Sequence, residues 1–400
     1  MKIMTVLLLL AGMALPVFAA GEAKVVKVTV AQLEQAMAAA QGKPDAEIAQ
    51  QIAGLELTER LSAAGFARLN AALPGEKARL SLMILADSAV FLNPPDSEIP
   101  DKPTPDPAET RRMLTQIVNY VNTTARQLPN LIAMRNTTGF EDRPQEDIQE
   151  ATDVVSLSYL PLHVVGKSRV SVTYRDRQEV VDEKAVKRGP KIGGLVTEGE
   201  FGPILSRVVA DALKGRITWG RWEQGAGGME AVFHYAVPGD QSHYNVQFCC
   251  VPDGFNSDGS AILRVFNENA SYHGNIAFDP ANGAILRITM EAEMPTGELV
   301  SRAGMMVEYG PVEIGGKSYI CPVKSVSILQ AHTTQNKGAY SMSNYKGPVK
   351  TYLNDVVFDQ YRRFGSETRI LSVDSGNPNL QSGPATADTP SSGPSRAPSH

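Results

Sequence analysis

Cysteine is scarce in this chain: 3 in 400 residues, at Cys249, Cys250 and Cys321. Such scarcity excludes a disulfide-built scaffold and leaves, in an oxidising compartment, one bridge and one thiol over. Neighbouring residues of a strand point to opposite sides of a sheet, so Cys249 and Cys250 are expected to face apart, pairing only across a distorted turn. A bridge to Cys321 needs Cα atoms within about 7 Å. The connectivity stays open, with buried free thiols as the plainest expectation. Basic excess is missing too: the formal net charge is −5 and the pI is near 5.8. Nucleic acid is therefore not an expected partner, because neutralising phosphates takes a basic surface. Beyond the N-terminus no apolar run reaches the roughly 20 residues a bilayer core requires, so no integral membrane segment is expected in the mature chain.

The familiar catalytic signatures are also absent. There is no His-Glu-x-x-His, no Gly-x-Ser-x-Gly elbow, no Gly-x-x-x-x-Gly-Lys phosphate loop and no Cys-x-x-Cys. Histidines 163, 234, 243, 273 and 332 are isolated in sequence. His234 and His243 are placed to face each other across Val237-Pro238-Gly239-Asp240, but a metal site needs a third ligand and support around it. Glu291 and Glu293 lie two apart on the polar side of a strand, too solvated there for matched acid and base work. The expectation is a protein with no catalytic residue, no metal and no cofactor.

What is present is an address and an architecture. Lys2, an apolar run from Ile3 to Leu15, and Val17-Phe18-Ala19 read as a secretory signal over residues 1–19, cleaved near Ala19. A periplasmic or secreted protein follows from that. Hydrophobic residues at 42% and charged residues at 20% are ordinary for a globular chain of this length. Residues 24–92 have helical spacing: Thr29 with Gln32 as a capping box before Val30, Leu33 and Met37, then Ile48 and Ile52, then a helix capped by Thr58, then Glu76 to Phe91. Residues 93–107 form a proline-rich linker. Asp106 caps a further helix with Pro107 in its first turn.

From residue 108 to 372 the pattern is mainly that of strands, interrupted by an amphipathic helix from Pro203 to Leu213. Two adjoining hairpins dominate it. Tyr272 to Phe278 turns at Asp279-Pro280-Ala281-Asn282-Gly283 and returns through Ala284 to Glu293, with Leu286, Ile288 and Met290 on one side and Arg287, Thr289 and Glu291 on the other. Alternation of this kind predicts an antiparallel sheet wetted on one side. Met305 to Tyr309 pairs with Ser318 to Leu329 across Gly310 to Lys317. Residues 373–400 are rich in Ser, Pro, Gly and Ala and have the composition of a disordered tail. Trp219, Trp222, Phe233, Tyr235, Tyr244 and Phe248 form the densest aromatic group, which serves either a core or a ligand lining.

The run Gly274-x-Ile276-Ala-Phe-Asp279-x-x-Asn-Gly283-x-Ile285, followed by Val307-Glu-Tyr309-Gly-x-Val312-x-Ile314-Gly-Gly-x-x-x-x-x-Pro322, resembles the LolA/RseB class of periplasmic proteins. The resemblance spans roughly Pro107 to Leu371 and leaves the N-terminal helices and the tail outside it. It implies an α+β fold in which a large curved antiparallel sheet, a half-barrel, is plugged by helices and takes acyl chains or a protein segment on its concave apolar face. On that basis the expected function is non-catalytic binding of a lipid, acyl chain or lipoprotein segment. The expected lining is Trp219, Phe233, Tyr235, Tyr244, Phe248, Ile288, Met290, Met305 and Val307. Two other expectations stand beside it: an envelope protein docked by the N-terminal helices, or a hydrolase built around His243 or His273.

Overall fold

The computed structural model describes residues 25–143, 146–149, 154–157, 160–181, 191–195, 197–258, 260–334 and 346–364. The signal segment, the C-terminal tail and part of the Gly189 to Glu200 loop lie outside the described residues. In chain order the elements begin with β1 (Val26–Val28), α1 (Val30–Ala39), α2 (Asp45–Ala53), β2 (Leu55–Leu57), α3 (Ala63–Ala72), α4 (Glu76–Ser88) and α5 (Pro107–Asn119). Next come β3 (Leu131–Arg143), β4 (Glu146–Gln149), β5 (Val154–Leu157), β6 (Leu160–Arg175), β7 (Gln178–Val181) and α6 (Pro203–Lys214). The remainder is β8 (Arg216–Gly225), β9 (Gly228–Val237), β10 (Asn245–Phe255), β11 (Ala261–Asn269), β12 (Tyr272–Phe278), β13 (Ile285–Ala292), β14 (Val300–Ile314), β15 (Lys317–Thr334) and β16 (Lys346–Arg363).

Local chemistry accounts for the helix starts. At α1 the Gln32 amide donates to the Thr29 hydroxyl at 3.2 Å and the Gln32 side chain accepts from the Thr29 amide at 2.9 Å, a complete capping box. Asp106 accepts from the amides of Ala108 and Glu109, both at 2.8 Å, and Pro107 opens α5. The third helix differs from expectation. Its cap is Ser62, which accepts from the Gly65 amide at 3.2 Å, and not Thr58. Nor is the segment purely helical, since β1 and β2 pair in parallel, Val26 with Leu55 and Val28 with Leu57. Three residues carry too little periodicity to be distinguished from helix flanks.

The fold is α+β, built on a ten-stranded antiparallel sheet in the order β7-β6-β3-β16-β15-β14-β13-β12-β9-β8. Strands β7 and β8 are its two edges, so the sheet is open, as a half-barrel is. Late strand β16 inserts beside β3, while β4–β5 and β10–β11 leave the sheet as two separate hairpins. Both adjoining hairpins form. In the first, the Asp279 carboxylate accepts from the Ala281 amide and the Asn282 side chain, and Gly283 takes φ +77° against the backbone of Gln116. The second is tighter than the sequence implied. Gly310 to Ile314 stay in strand β14, and only Gly315 and Gly316, at φ +60° and +78°, make the turn.

One face of the sheet carries α5 and α6. Beneath them Trp222, Phe233, Tyr235, Tyr272, Ile276, Phe278, Ile288 and Val307 form the largest cluster. Farther along the same face, the β10–β11 hairpin seats Val246, Phe248 and Phe266 against Ala303, Leu329 and Ala331. On the opposite face lies the helical module. Helices α1 to α4 bury Leu33, Ile52 and Leu82 among themselves. Val90, with partly buried Met83, Ile84 and Phe91, then packs on Phe140, Met306, Val326, Ile328 and Leu353. This placement overturns the expectation of a wetted face at β13. Arg287 is 7% and Thr289 3% exposed because the module covers them. The proline-rich segment is pinned as it passes the β8 edge: the Trp222 indole donates to the Pro103 carbonyl at 3.0 Å, and Lys102 Nζ lies 3.4 Å from the Trp222 ring centroid.

Candidate functional site

Strand alternation brings seven of the nine expected lining residues to the helix-covered face, and Tyr244 reaches it from the chain just before β10. Phe233, Tyr235, Ile288, Met290, Met305 and Val307 are buried in one cluster, with Trp219 and Tyr244 packed partly buried against it. Register explains the convergence: Phe233 pairs with Ile276 and Ile276 with Ile288, which pairs with Val307, so one row crosses four strands. Phe248 is placed elsewhere, in the β10–β11 hairpin, where its ring stands 5.2 Å from that of Tyr352. Helix α6 covers the row with Ile204, Leu205, Val208 and Val209, between glycines at 202 and 215.

At the far side of this face lies a polar group that local patterning did not reveal. Glu200, 0% exposed, immediately precedes Phe201 and α6, and neither of its carboxylate oxygens has a hydrogen-bond partner among the described residues. Arg135 of β3 approaches it at 3.6 Å and spends its own hydrogen bonds on Thr197, at 2.7 and 2.9 Å. Glu179 of β7 accepts from the Gly199 amide at 3.1 Å and the Phe201 amide at 3.5 Å. Burial, and secondly the charge of Glu200, push the Glu179 carboxyl up to about 8, with Arg135 opposing. Burial chiefly, then Glu200 and Tyr120, also hold the Tyr309 hydroxyl well above its ordinary range. Together Glu179 and Arg135 tether the loop that delivers α6 to the sheet. The one signal in the sequence is an acidic residue inside a Gly-rich loop directly before an apolar helix.

A pH dependence follows. Glu179 binds its proton more tightly when folded than at its ordinary value of 4.5, as does Glu230, raised to about 7 by burial and then by Glu223. The folded protein therefore holds more protons than the unfolded chain across that window. Stability is fully present below 4.5 and declines as pH rises through about 7 to 8. Glu179→Gln keeps the acceptor for Gly199 and Phe201 but cannot ionise. Its Tm is expected to match the parent at pH 5 and exceed it at pH 9, and thermal melts across that range check this. A parallel fall in both proteins would remove Glu179 as the cause.

The histidines do not assemble as expected. His243 sits with Asp211 of α6, which is buried and accepts from the His243 amide at 3.0 Å, from its Nδ1 at 2.7 Å and from the Tyr272 hydroxyl at 2.9 Å. Asp211 thereby ties α6 to the chain beyond β9, and the His243 side chain is 60% exposed. His234 lies on the other face, its Nδ1 bonded to the Asn275 side chain, and shares a groove with His273, whose Nδ1 is 3.4 Å from Glu293. Among the described residues no group of three or more His, Cys, Asp or Glu is arranged to hold a metal, and no helix is long and apolar enough to cross a membrane. Cys249 and Cys250 are joined to each other across a cis peptide bond, at an irregularity in β10, so they do not face apart; Cys321 is buried and free. Burial lifts the Cys321 thiol to about 12, which keeps it protonated and unreactive.

Comparisons with protein-family models, with curated proteins and with solved structures find no match to this chain.

Proposed function

We propose that this is an exported, non-catalytic binding protein of the LolA/RseB-like kind, which takes a lipid, acyl chain or lipoprotein segment onto the helix-covered face of the half-barrel. The observation that carries this reading is the convergence of Phe233, Tyr235, Ile288, Met290, Met305 and Val307 on one face of an open sheet whose cover there is two short helices and not a second sheet. Room for a ligand comes from displacing α6, whose N-terminal approach turns at Gly199 and Gly202 with φ of +90° and +155°. Each methylene buried in place of water contributes about 0.8 kcal/mol, so an acyl chain binds usefully by apolar burial alone.

The two tryptophans of the chain, Trp219 and Trp222, both belong to or pack against this cluster. Entry of an acyl chain is therefore expected to change their emission. Protein purified without detergent is expected to show, by native mass spectrometry, a bound mass that extracts into organic solvent. A clean unliganded mass, together with tryptophan emission unmoved by added long-chain fatty acid, would sink the reading.

A further inference from the structure

A cavity of about 480 Å³ opens on the module side of the sheet, away from the apolar cluster and from Glu200. Its size lies within the roughly 300–1,000 Å³ usual for small-molecule sites. The floor is made of two cross-strand rows. One runs Arg216, Ala236, His273, Glu291, and the other Thr218, His234, Asn275, Thr289, each read off the pairing of β8, β9, β12 and β13. Three steps of about 4.8 Å give each row a length of about 14 Å. Phe91 and Asn93, at the end of the helical module, supply a wall. Phe91 comes this close because Gly304 lies beneath it; a methyl group there would stand 2.9 Å from the ring.

The two carboxylates of the groove are held in pairs, whereas Arg216 has no carboxylate partner among the described residues. Arg302 lies 3.2 Å from Glu291, and its guanidinium is 5.3 Å from the Phe91 ring centroid. His273 faces Glu293 at 3.4 Å. Along the second row the groups already hold one another: His234 Nδ1 is bonded to the Asn275 side chain, and the buried Thr289 hydroxyl accepts from the Asn275 backbone amide at 2.9 Å. That leaves the Thr218 hydroxyl, the other His234 nitrogen and the Asn275 side-chain NH2 to face a ligand. A phosphate or other anion here meets Glu291 and Glu293, and a lone ammonium meets Arg216. An apolar ligand leaves Arg216, the Thr218 hydroxyl and the open His234 nitrogen desolvated without partners, which is costly. Hydroxyls, each both donor and acceptor, match the groups left open and Arg216, and the apolar face of a sugar ring suits the Phe91 wall.

We propose that this groove is a second binding site, independent of acyl binding, and that it takes a neutral saccharide of several linked rings. Ala236, small and central in the floor, leaves the space that such a chain occupies. The test uses the full mature chain with maltotriose, cellotriose and tri-N-acetylchitotriose as probes, read by ligand-observed NMR and calorimetry. At least one is expected to bind with Kd of about 1 mM or tighter. Ala236→Phe, which fills the floor, is expected to weaken it at least about tenfold with Tm unchanged, and Asn275→Ala, which also removes the partner of His234, by about tenfold. Should Ala236→Phe lower Tm, Thr218→Ala at the exposed rim replaces it, with a severalfold loss expected. The proposal falls if none of the three trisaccharides binds, if binding survives these substitutions, or if inorganic phosphate or trialanine competes for the groove more tightly than the sugars.

Discussion

Glu223→Gln is expected to destabilise the folded protein by about 3–5 kcal/mol. The carboxylate is 2% exposed and serves three guanidinium groups: Arg60 at 2.6 Å and Arg287 at 2.8 Å on one oxygen, Arg221 at 2.8 Å on the other. Glutamine keeps the shape and one acceptor but removes the only negative charge bonded to all three. The substitution leaves three cations facing one another beside buried apolar surface. Removing one partner of a buried pair costs far more than the pair itself contributes, because the remaining charge cannot recover its hydration. Arg60 belongs to the helical module, whereas Arg221 and Arg287 belong to the sheet, so the same substitution loosens the junction between them. Urea unfolding checks the magnitude. If Glu223→Gln shifts the midpoint by less than a surface substitution does, the three arginines must find water or anions in its place, and the burial described above is wrong.

Lys324→Ala is expected to cost a comparable amount, again about 3–5 kcal/mol. Lys324 rises from β15 between Asp87 of α4 at 2.6 Å and Asp355 of β16 at 2.9 Å, and both carboxylates are almost fully buried. Burial alone would lower the lysine, but the two acids outweigh it and hold the ammonium above its ordinary range. Burial first, and then Asp355, push Asp87 well above the usual carboxylate range, with Lys324 opposing. Without the lysine, two carboxylates confront each other across the module–sheet junction. A raised carboxyl favours the folded state at low pH and loses that contribution as pH rises, so the deficit of Lys324→Ala is expected to shrink on acidification. Asp87→Asn added to Lys324→Ala is expected to recover about half of the loss, measured as a double-mutant cycle. A strictly additive cycle would mean that the two side chains do not interact as placed.

These two networks also mark the limit of what local patterning conveys. Thr29 with Gln32, Asp106 with Pro107, and Pro203 to Gly215 announce their helices because capping and apolar spacing are short-range. The same holds for Asp279 to Gly283, where the turn chemistry is complete within five residues. The shared face of Phe233, Tyr235, Ile288, Met290, Met305 and Val307 follows from period two, and the register aligns them across the sheet. By contrast, Arg60 and Glu223 are 163 positions apart, and Asp87 and Lys324 are 237 apart. No periodicity links residues at that distance. It is the module's position on the sheet that turned Arg287 and Thr289 from expected surface into interior. Glu200 was obscure for a related reason: its burial comes from Arg135, Tyr309 and Glu179 on three different strands. His234 and His243 do not meet across their short connection because β9 and the chain after it turn them to opposite faces.

The pairing of β3 with β16 has a kinetic consequence. Asn136 bonds to the carbonyl of Val357, 221 positions later, and β16 stands between the three-stranded group β7-β6-β3 and the six strands from β15 to β8. Until residues 346–363 dock, β3 and β15 have no strand between them, and each would present an unsatisfied row of amides and carbonyls. Closing so long a loop is entropically slow, and such contacts place folding toward the millisecond-to-second range. Bare edges of this kind invite pairing with other chains in the meantime. The last strand is thus the splice of the structure: only its pairing with β15 on one side and β3 on the other makes one continuous sheet.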